Sequence, residues 1–274
     1  MVYVITNTIN IQLIELQENM MRKVVSVLNQ KGGVGKTTSS INLSCCFAQR
    51  GYHVLLIDLD PQAHSSIGFG FEPDTYQYAI HDVLVNKLGI EQAILKTDIE
   101  NLQIVPSHIR LDRAEQLLTP EMFKETRLHK AIKHLKYDLI FIDCRPTLGT
   151  LTINALFASE FILVPCEMAR FSLDGFSDFM DTIEHVRNNE DNPKEKVVRI
   201  LLNKYDSRKK ITNDWVMDQL EPFKDILLKT KIRQNEALNQ AHMAMEPVIT
   251  FKPSSPGAQD YESLAEELSI LWQL

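Results

Sequence analysis

Cysteine is scarce in this chain of 274 residues: Cys45, Cys46, Cys144 and Cys166 are the only four. They form no CxxC pair and no zinc-type spacing. That excludes a disulfide scaffold and fits reduced thiols in a cytosol. No run of 18 apolar residues occurs, so no membrane-spanning helix is expected. The first 21 residues contain no Lys or Arg, so the basic region that opens a signal peptide is missing. Repeats, low-complexity tracts and Pro/Gly-rich linkers are also lacking, which makes one domain the simplest organisation. What is present is ordinary for a globular protein. The chain is 44% hydrophobic and 24% charged, which excludes wholesale disorder and a collagen-like fibre and supplies a large core without staples.

The formal net charge is -7, which argues against a surface that coats nucleic acid everywhere. The distribution is uneven. Residues 194–233 carry eleven Lys/Arg against six Asp/Glu, a local excess of +5. A solvated helix face and a basic binding strip both fit that excess.

Short apolar, β-branched runs alternate with helix-length segments. Strands are expected at 23–29, 54–58, 102–106, 139–143, 161–165, 197–203 and 226–230. Helices are expected at 37–50, 114–118, 125–134, 151–158, 174–187 and 214–220. The strand runs are apolar throughout rather than alternating, as strands covered on both faces require. The expected fold is therefore α/β, a doubly wound, mostly parallel sheet with helices on both faces. Residues 1–20 stand outside this pattern. They read as an extension, either the product of an upstream start site or a regulatory tail, before a domain over 21–274.

The strongest motif is Gln30-Lys31-Gly32-Gly33-Val34-Gly35-Lys36-Thr37-Thr38, between the first strand and the first helix. Glycines let consecutive N–H groups turn inward around a phosphate, and the helix N-terminus adds partial positive charge. Lys36 places a point charge on β- and γ-phosphates, Thr37 offers a hydroxyl to Mg²⁺, and Thr38 reaches the α-phosphate. Two carboxylate motifs end later strands: Asp58-Leu59-Asp60-Pro61-Gln62 and Phe141-Ile142-Asp143-Cys144-Arg145-Pro146. Strand C-termini in such sheets face the ligand crevice. An aspartate there can orient a water or hold Mg²⁺. Asp58 also fits an ordinary turn cap. Cys144 has no neighbouring base in sequence and reads as a small buried residue.

The segment Lys31-Gly32-Gly33-Val34-Gly35-Lys36-Thr37-Thr38 has Gln30 where the plain P-loop pattern has glycine, and it carries the extra Lys31. In this it resembles the deviant Walker A ATPases of the ParA/MinD family. The likeness continues through Leu148–Leu156, Leu163-Val164-Pro165, Ser172-Leu173-Asp174-Gly175, Leu201–Arg208 and Gly257–Tyr261, and so covers about residues 22–272. It implies a single-domain P-loop NTPase using ATP and Mg²⁺. Lys31, Lys36 and Asp60 are its catalytic group, with Lys31 reaching across a sandwich dimer. Lys31, Gly32, Gly33, Val34, Gly35, Lys36, Thr37 and Thr38 bind nucleotide. Asn203 is the candidate for adenine, although an Asn at a strand end also suits a turn. Thr37, Asp58 and Asp143 serve the metal. The family usually has two prolines after the cysteine; here the first is Arg145. The usual Pro-Arg-Asn triplet is replaced at Lys229-Thr230-Lys231, which keeps the basic character.

Relatives on membranes end in a basic amphipathic helix, whereas the last helix here has an acidic polar face, which anionic lipid repels. DNA is then the expected matrix. Its phosphates would meet Lys204, Arg208, Lys209, Lys210, Lys229, Lys231 and Arg233 without base readout. The expectation is an ATP-dependent homodimer, cytoplasmic and nucleoid-associated. It binds nonspecific double-stranded DNA and is stimulated by a ParB-like protein to segregate a plasmid or chromosome. The alternative is an ATPase that positions a protein assembly along the nucleoid.

Overall fold

The computed structural model describes residues 22–169, 176–188 and 196–274. The 1–20 extension, Ser172–Gly175 and Lys194 lie outside the described residues. The strands are β1 (Lys23–Val27), β2 (Val54–Leu59), β3 (Leu95–Lys96), β4 (Leu102–Val105), β5 (Leu139–Cys144), β6 (Phe161–Glu167), β7 (Val197–Tyr205) and β8 (Leu227–Arg233). They form one eight-stranded sheet in the order β3-β4-β2-β5-β1-β6-β7-β8. Every pair is parallel except the short edge pair of β3 and β4. The motif strand β1 is thus central, and the ends of β2 and β5 that carry the aspartates lie together, with Asp58 opposite Asp143.

The helices are α1 (Lys36–Gln49), α2 (His64–Ile67), α3 (Ile80–Asn86), α4 (Arg110–Leu118), α5 (Arg127–Ile132) and α6 (Thr150–Ala158). They continue as α7 (Phe176–Arg187), α8 (Lys210–Gln219), α9 (Glu236–Met243), α10 (Val248–Phe251) and α11 (Pro256–Trp272). Successive strand residues point to opposite faces, so each apolar run feeds two cores. Val24, Leu55, Ile140 and Ile142 pack with Leu151, Leu156 and Phe179 on one face. Val25, Leu56 and Phe141 pack with Phe47, Tyr261, Leu264 and Trp272 on the other. Trp272 stacks on Phe47 at 5.6 Å and meets Phe161 at 5.3 Å. The acidic-faced last helix therefore covers the core.

Element boundaries shift where tertiary pairing outruns local signal. β6 continues past Pro165 because Cys166 and Glu167 still pair with Leu202 and Asn203 on β7. β8 reaches Arg233 through two register irregularities against β7. Helix α8 begins at Lys210 and α4 at Arg110, each earlier than their apolar spacing suggests. The helix expected over 125–134 is a 3₁₀ turn followed by the shorter α5. The two-residue β3 and the short helices α2, α3, α9 and α10 were not foreseen, since so few residues carry little period. All four cysteines are free and buried. Burial pushes the Cys144 thiol well above its ordinary range, so it is an inert packing residue.

Candidate functional site

The loop between β1 and α1 holds Gly33 at φ 77° and Gly35 at φ 96°, left-handed conformations that glycine adopts without strain. A Cβ on Gly35 would lie 2.0 Å from Asn203 Nδ2. That close approach is a clamp. Asn203 Nδ2 donates to Val34 O at 2.9 Å, and its Oδ1 accepts from Lys204 N at 2.8 Å. A second clamp is Asn29, whose Oδ1 accepts from Lys31 N at 3.0 Å while Nδ2 donates to Pro165 O at 2.8 Å. Helix α1 starts without a side-chain cap, so its first-turn N–H groups lack intrahelical acceptors and face the loop. Lys36 is buried, and its Nζ donates to Lys31 O at 3.0 Å. Burial lowers its pKa; Asp143 and Asp60 oppose that.

Asp143 is fully buried at the end of β5. Its Oδ2 accepts from Thr37 Oγ1 at 2.8 Å and Ser65 Oγ at 2.7 Å, and its Oδ1 from Ser40 Oγ at 3.2 Å. Burial pushes it up to about 6, against the pull of those hydroxyls and Lys36. Asp58 is also fully buried, opposite Asp143 across the β2–β5 pairing, but its hydrogen-bond partners are different. Its Oδ2 accepts from Ser66 N at 2.8 Å and Ser66 Oγ at 2.7 Å, and its Oδ1 from Asp60 N at 3.2 Å. Burial first, and the Asp143 charge second, push it up to about 8. Asp58 thus steadies the turn that carries Asp60, which is half-buried and accepts from Gln62 N at 3.0 Å.

Two cavities flank the loop. One, of about 510 Å³, is bordered by Gly32, Lys36, Thr37, Asp60, Arg145 and His242 among others. The second, of about 820 Å³, is bordered by Asn203, Tyr205, Ser207, Gln234 and Asn239 among others. Gly33, Gly35 and Thr38 border both. The glycine loop therefore lies between the two cavities, with Asn203 and Tyr205 of β7 on one side and Asp60 on the other. The Thr37 hydroxyl and Asp143 carboxylate are hard oxygen donors, the set that suits Mg²⁺. The structure therefore brings Lys36, Thr37, Thr38, Asp60 and Asp143 together. Neither Asp58 nor Asp143 borders the cavities; Asp143 touches the site through Thr37.

Asn29, Ser40, Ser65 and Ser66 were missed in the sequence. Asn29 had a signal, its place just before the motif at a strand end; the serines had none. His64 and His242, whose rings lie 6.4 Å apart beside the smaller cavity, were also missed.

The basic residues group around the ends of β7 and β8 and the start of α8. Lys229, Lys231 and Arg233 lie along β8. Three of the seven are ion-paired: Lys204 with Glu167 at 3.4 Å, Arg208 with Asp206 at 2.8 Å and Arg233 with Asp260 at 2.7 Å. Lys231 lies 4.8 Å from the Tyr205 ring centroid. Lys209, Lys210, Lys229 and Lys231 make no ion pair among the described residues. No helix among the described residues is long and apolar enough to cross a membrane.

A family model for an AAA domain matches residues 22–200. The sporulation initiation inhibitor protein Soj of Bacillus subtilis is 38% identical over 251 residues, 91% of this chain and 99% of Soj. The chromosome partitioning protein ParA of Myxococcus xanthus is 35% identical over 248 residues, 90% of this chain and 87% of its own length. The crystal structure of cobyrinic acid a,c-diamide synthase from Mycobacterium smegmatis, with bound ATP analog and magnesium, superposes with a TM-score of 0.79. Its identity is 29%, over 92% of this chain and 96% of that one.

Proposed function

The chain belongs to the ParA/MinD family of P-loop ATPases, and from that premise we propose that it is a DNA partition switch driven by ATP. ATP is the substrate and Mg²⁺ the metal. The observation that carries the nucleotide reading is the glycine loop shared by two cavities, with Lys36 and Thr37 at its end and Asp60 across from them. The N–H groups of the loop and of the first turn of α1 hold the phosphates. Lys36 neutralises the β- and γ-oxygens. Thr37 and Asp143 would hold Mg²⁺, which would supply charge neutralisation to the phosphates. Asp60 orients the attacking water and takes its proton. The water oxygen bonds to the terminal phosphorus, and the bond to the bridging oxygen breaks with its electron pair leaving on ADP.

In this reading Lys31 reaches the phosphates of a second copy, so ATP closes a two-fold sandwich dimer. The lysines at the ends of β7 and β8 are doubled by the symmetry, and modest phosphate contacts add across the pair. That reconciles an acidic chain with DNA binding. A ParB-like protein bound at a centromere-like site stimulates hydrolysis, and ADP dissolves the dimer and frees the DNA. The cargo is a plasmid or chromosome, and the protein is cytoplasmic and nucleoid-associated, with the ATPase domain spanning 21–274.

The test is a titration of nonspecific duplex DNA with ATP, ADP or no nucleotide, on wild type and Lys31→Gln, at two salt concentrations. Binding that needs ATP and Lys31 and weakens with salt supports the switch. Nucleotide binding with no DNA binding removes DNA from the mechanism and overturns both the partition switch and positioning along the nucleoid, leaving a regulatory role.

A further inference from the structure

Arg145 stands two residues after Asp143 and occupies the place where the resemblance leads one to expect proline. The residue borders the same cavity as Lys36, Thr37 and Asp60. Yet its guanidinium is turned toward α4. Nη1 donates to Asp112 Oδ1 at 3.0 Å and to Glu115 Oε2 at 2.6 Å. Its Nε is buried and has no hydrogen-bond partner among the described residues. Two carboxylates therefore share one nitrogen while another donor on the same group is unsatisfied. That arrangement is electrostatically over-neutralised and incomplete in its hydrogen bonds. One positive charge beside two negative ones presents no net attraction to an anion in the cavity.

The anchors are unequal. Glu115 is built into the fold: its Oε1 accepts from Leu151 N at 3.1 Å, and a Cβ on Gly149 would lie 2.2 Å from that oxygen. Asp112 is more exposed, at 45% of its side chain, and Arg145 is its side chain's partner. The pair thus combines a fixed anchor with a releasable one.

We propose that Arg145 is an arginine supplied in cis to the hydrolysis step, and that Asp112 and Glu115 restrain it in the state seen here. The proposal rests on the ATPase reading of the site. Loss of the Asp112 contact leaves Glu115 Oε2 as the one remaining partner to be given up; the guanidinium then turns into the cavity and donates N–H bonds to the charge that grows on the transferred phosphoryl oxygens. It forms and breaks no covalent bond, and the water proton still goes to Asp60. Arginines in this role accelerate phosphoryl transfer by about 10³–10⁵. Restraint by two carboxylates is then expected to slow turnover in the protein without a partner, and any partner that draws Asp112 away from Arg145 is an activator.

The experiment is steady-state ATP hydrolysis by the full chain with Mg²⁺ and no partner, for wild type, Asp112→Asn, Arg145→Ala and the double variant. Binding of a non-hydrolysable ATP analogue is measured on each. Asp112→Asn is expected to raise kcat about tenfold, a small part of what a free arginine supplies, with KM and analogue affinity within about twofold of wild type. Adding Arg145→Ala is expected to abolish the gain, and Arg145→Lys in the Asp112→Asn background to keep a part of it. A gain that survives in the double variant, or no gain in Asp112→Asn with analogue binding intact, overturns the proposal. So does an Arg145→Ala variant that loses analogue affinity and kcat in parallel, because that marks a structural loop contact. Should Asp112→Asn bind no analogue, Glu115→Gln replaces it and is read by the same criteria. A wild type that binds no ATP at all overturns the ATPase reading and this proposal with it.

Discussion

Asn203 and Asp58 look in sequence like ligand residues, and in the fold each also holds other residues in place. Asn203 ties Val34 of the loop to Lys204 of β7 by two hydrogen bonds of 2.9 and 2.8 Å. Breaking buried hydrogen bonds of this kind costs about 1–3 kcal/mol. Asn203→Ala is therefore expected to weaken binding of an ATP analogue about tenfold or more, measured by calorimetric titration; unchanged affinity means the loop holds its shape without the clamp. Asp58, pushed up to about 8 by burial and by Asp143, keeps a proton that the unfolded chain releases near pH 4. The sign follows from that order. The stability contributed by the protonated Asp58 is full below about pH 4 and is lost as pH rises toward 8. For nucleotide-free and metal-free protein, the denaturation midpoint is expected to fall over that window, by at most about 1.4 kcal/mol per pH unit from this group. Asp58→Asn flattens the fall. A profile identical in both proteins places the titration elsewhere.

At the scale of elements, the loop and α11 bound the range of tolerance. The turn into α1 needs Gly35 both for its φ of 96° and because Asn203 stands where a side chain would go. Gly35→Ala is expected to abolish nucleotide binding while leaving the circular dichroism spectrum in place; retained binding shows that the turn can reshape. Helix α11 buries Tyr261, Leu264, Leu268 and Trp272 against α1 and the sheet. It also uses Glu267 to accept the Lys229 and Thr230 N–H groups of the edge strand β8, at 2.7 and 2.8 Å. That pairing protects an edge otherwise open to another strand. Trp272→Ala removes a buried aromatic and is expected to cost about 3–5 kcal/mol, read from urea denaturation; a loss under about 1 kcal/mol means the core collapses around the gap.

At the scale of the whole molecule, the charge pattern separates lysines that make no ion pair among the described residues from ion-paired ones. If DNA phosphates are met by the ends of β7 and β8, Lys209, Lys210, Lys229 and Lys231 carry most of the contact. Arg233, held by Asp260, contributes less. Converting the four lysines to alanine is expected to lower the slope of log affinity against log salt by about one per lysine lost from contact, whereas Arg233→Ala changes it little. An unchanged slope in the four-lysine variant moves the DNA surface elsewhere on the molecule.

What the sequence determined by itself is local or periodic. Apolar runs at strand length announced a parallel sheet, and the contiguous stretch from Lys31 to Thr38 announced a phosphate loop, because a helix N-terminus and its glycines are sequence neighbours by necessity. The placement of Asp60 and Asp143 at strand ends was legible because each ends such a run. Only the tertiary structure decided which side chains meet across the sheet. Asp58 and Asp143 are brought opposite each other by the pairing of β2 with β5. Asn203 reaches Val34 across 169 residues, and Ser40 and Ser65 reach Asp143 across 103 and 78. Arg145 finds Asp112 and Glu115 because the loop after β5 and the start of α4 rise at the same end of the sheet. No spacing along the chain encodes those meetings; strand order does, and strand order is settled by packing of the whole core.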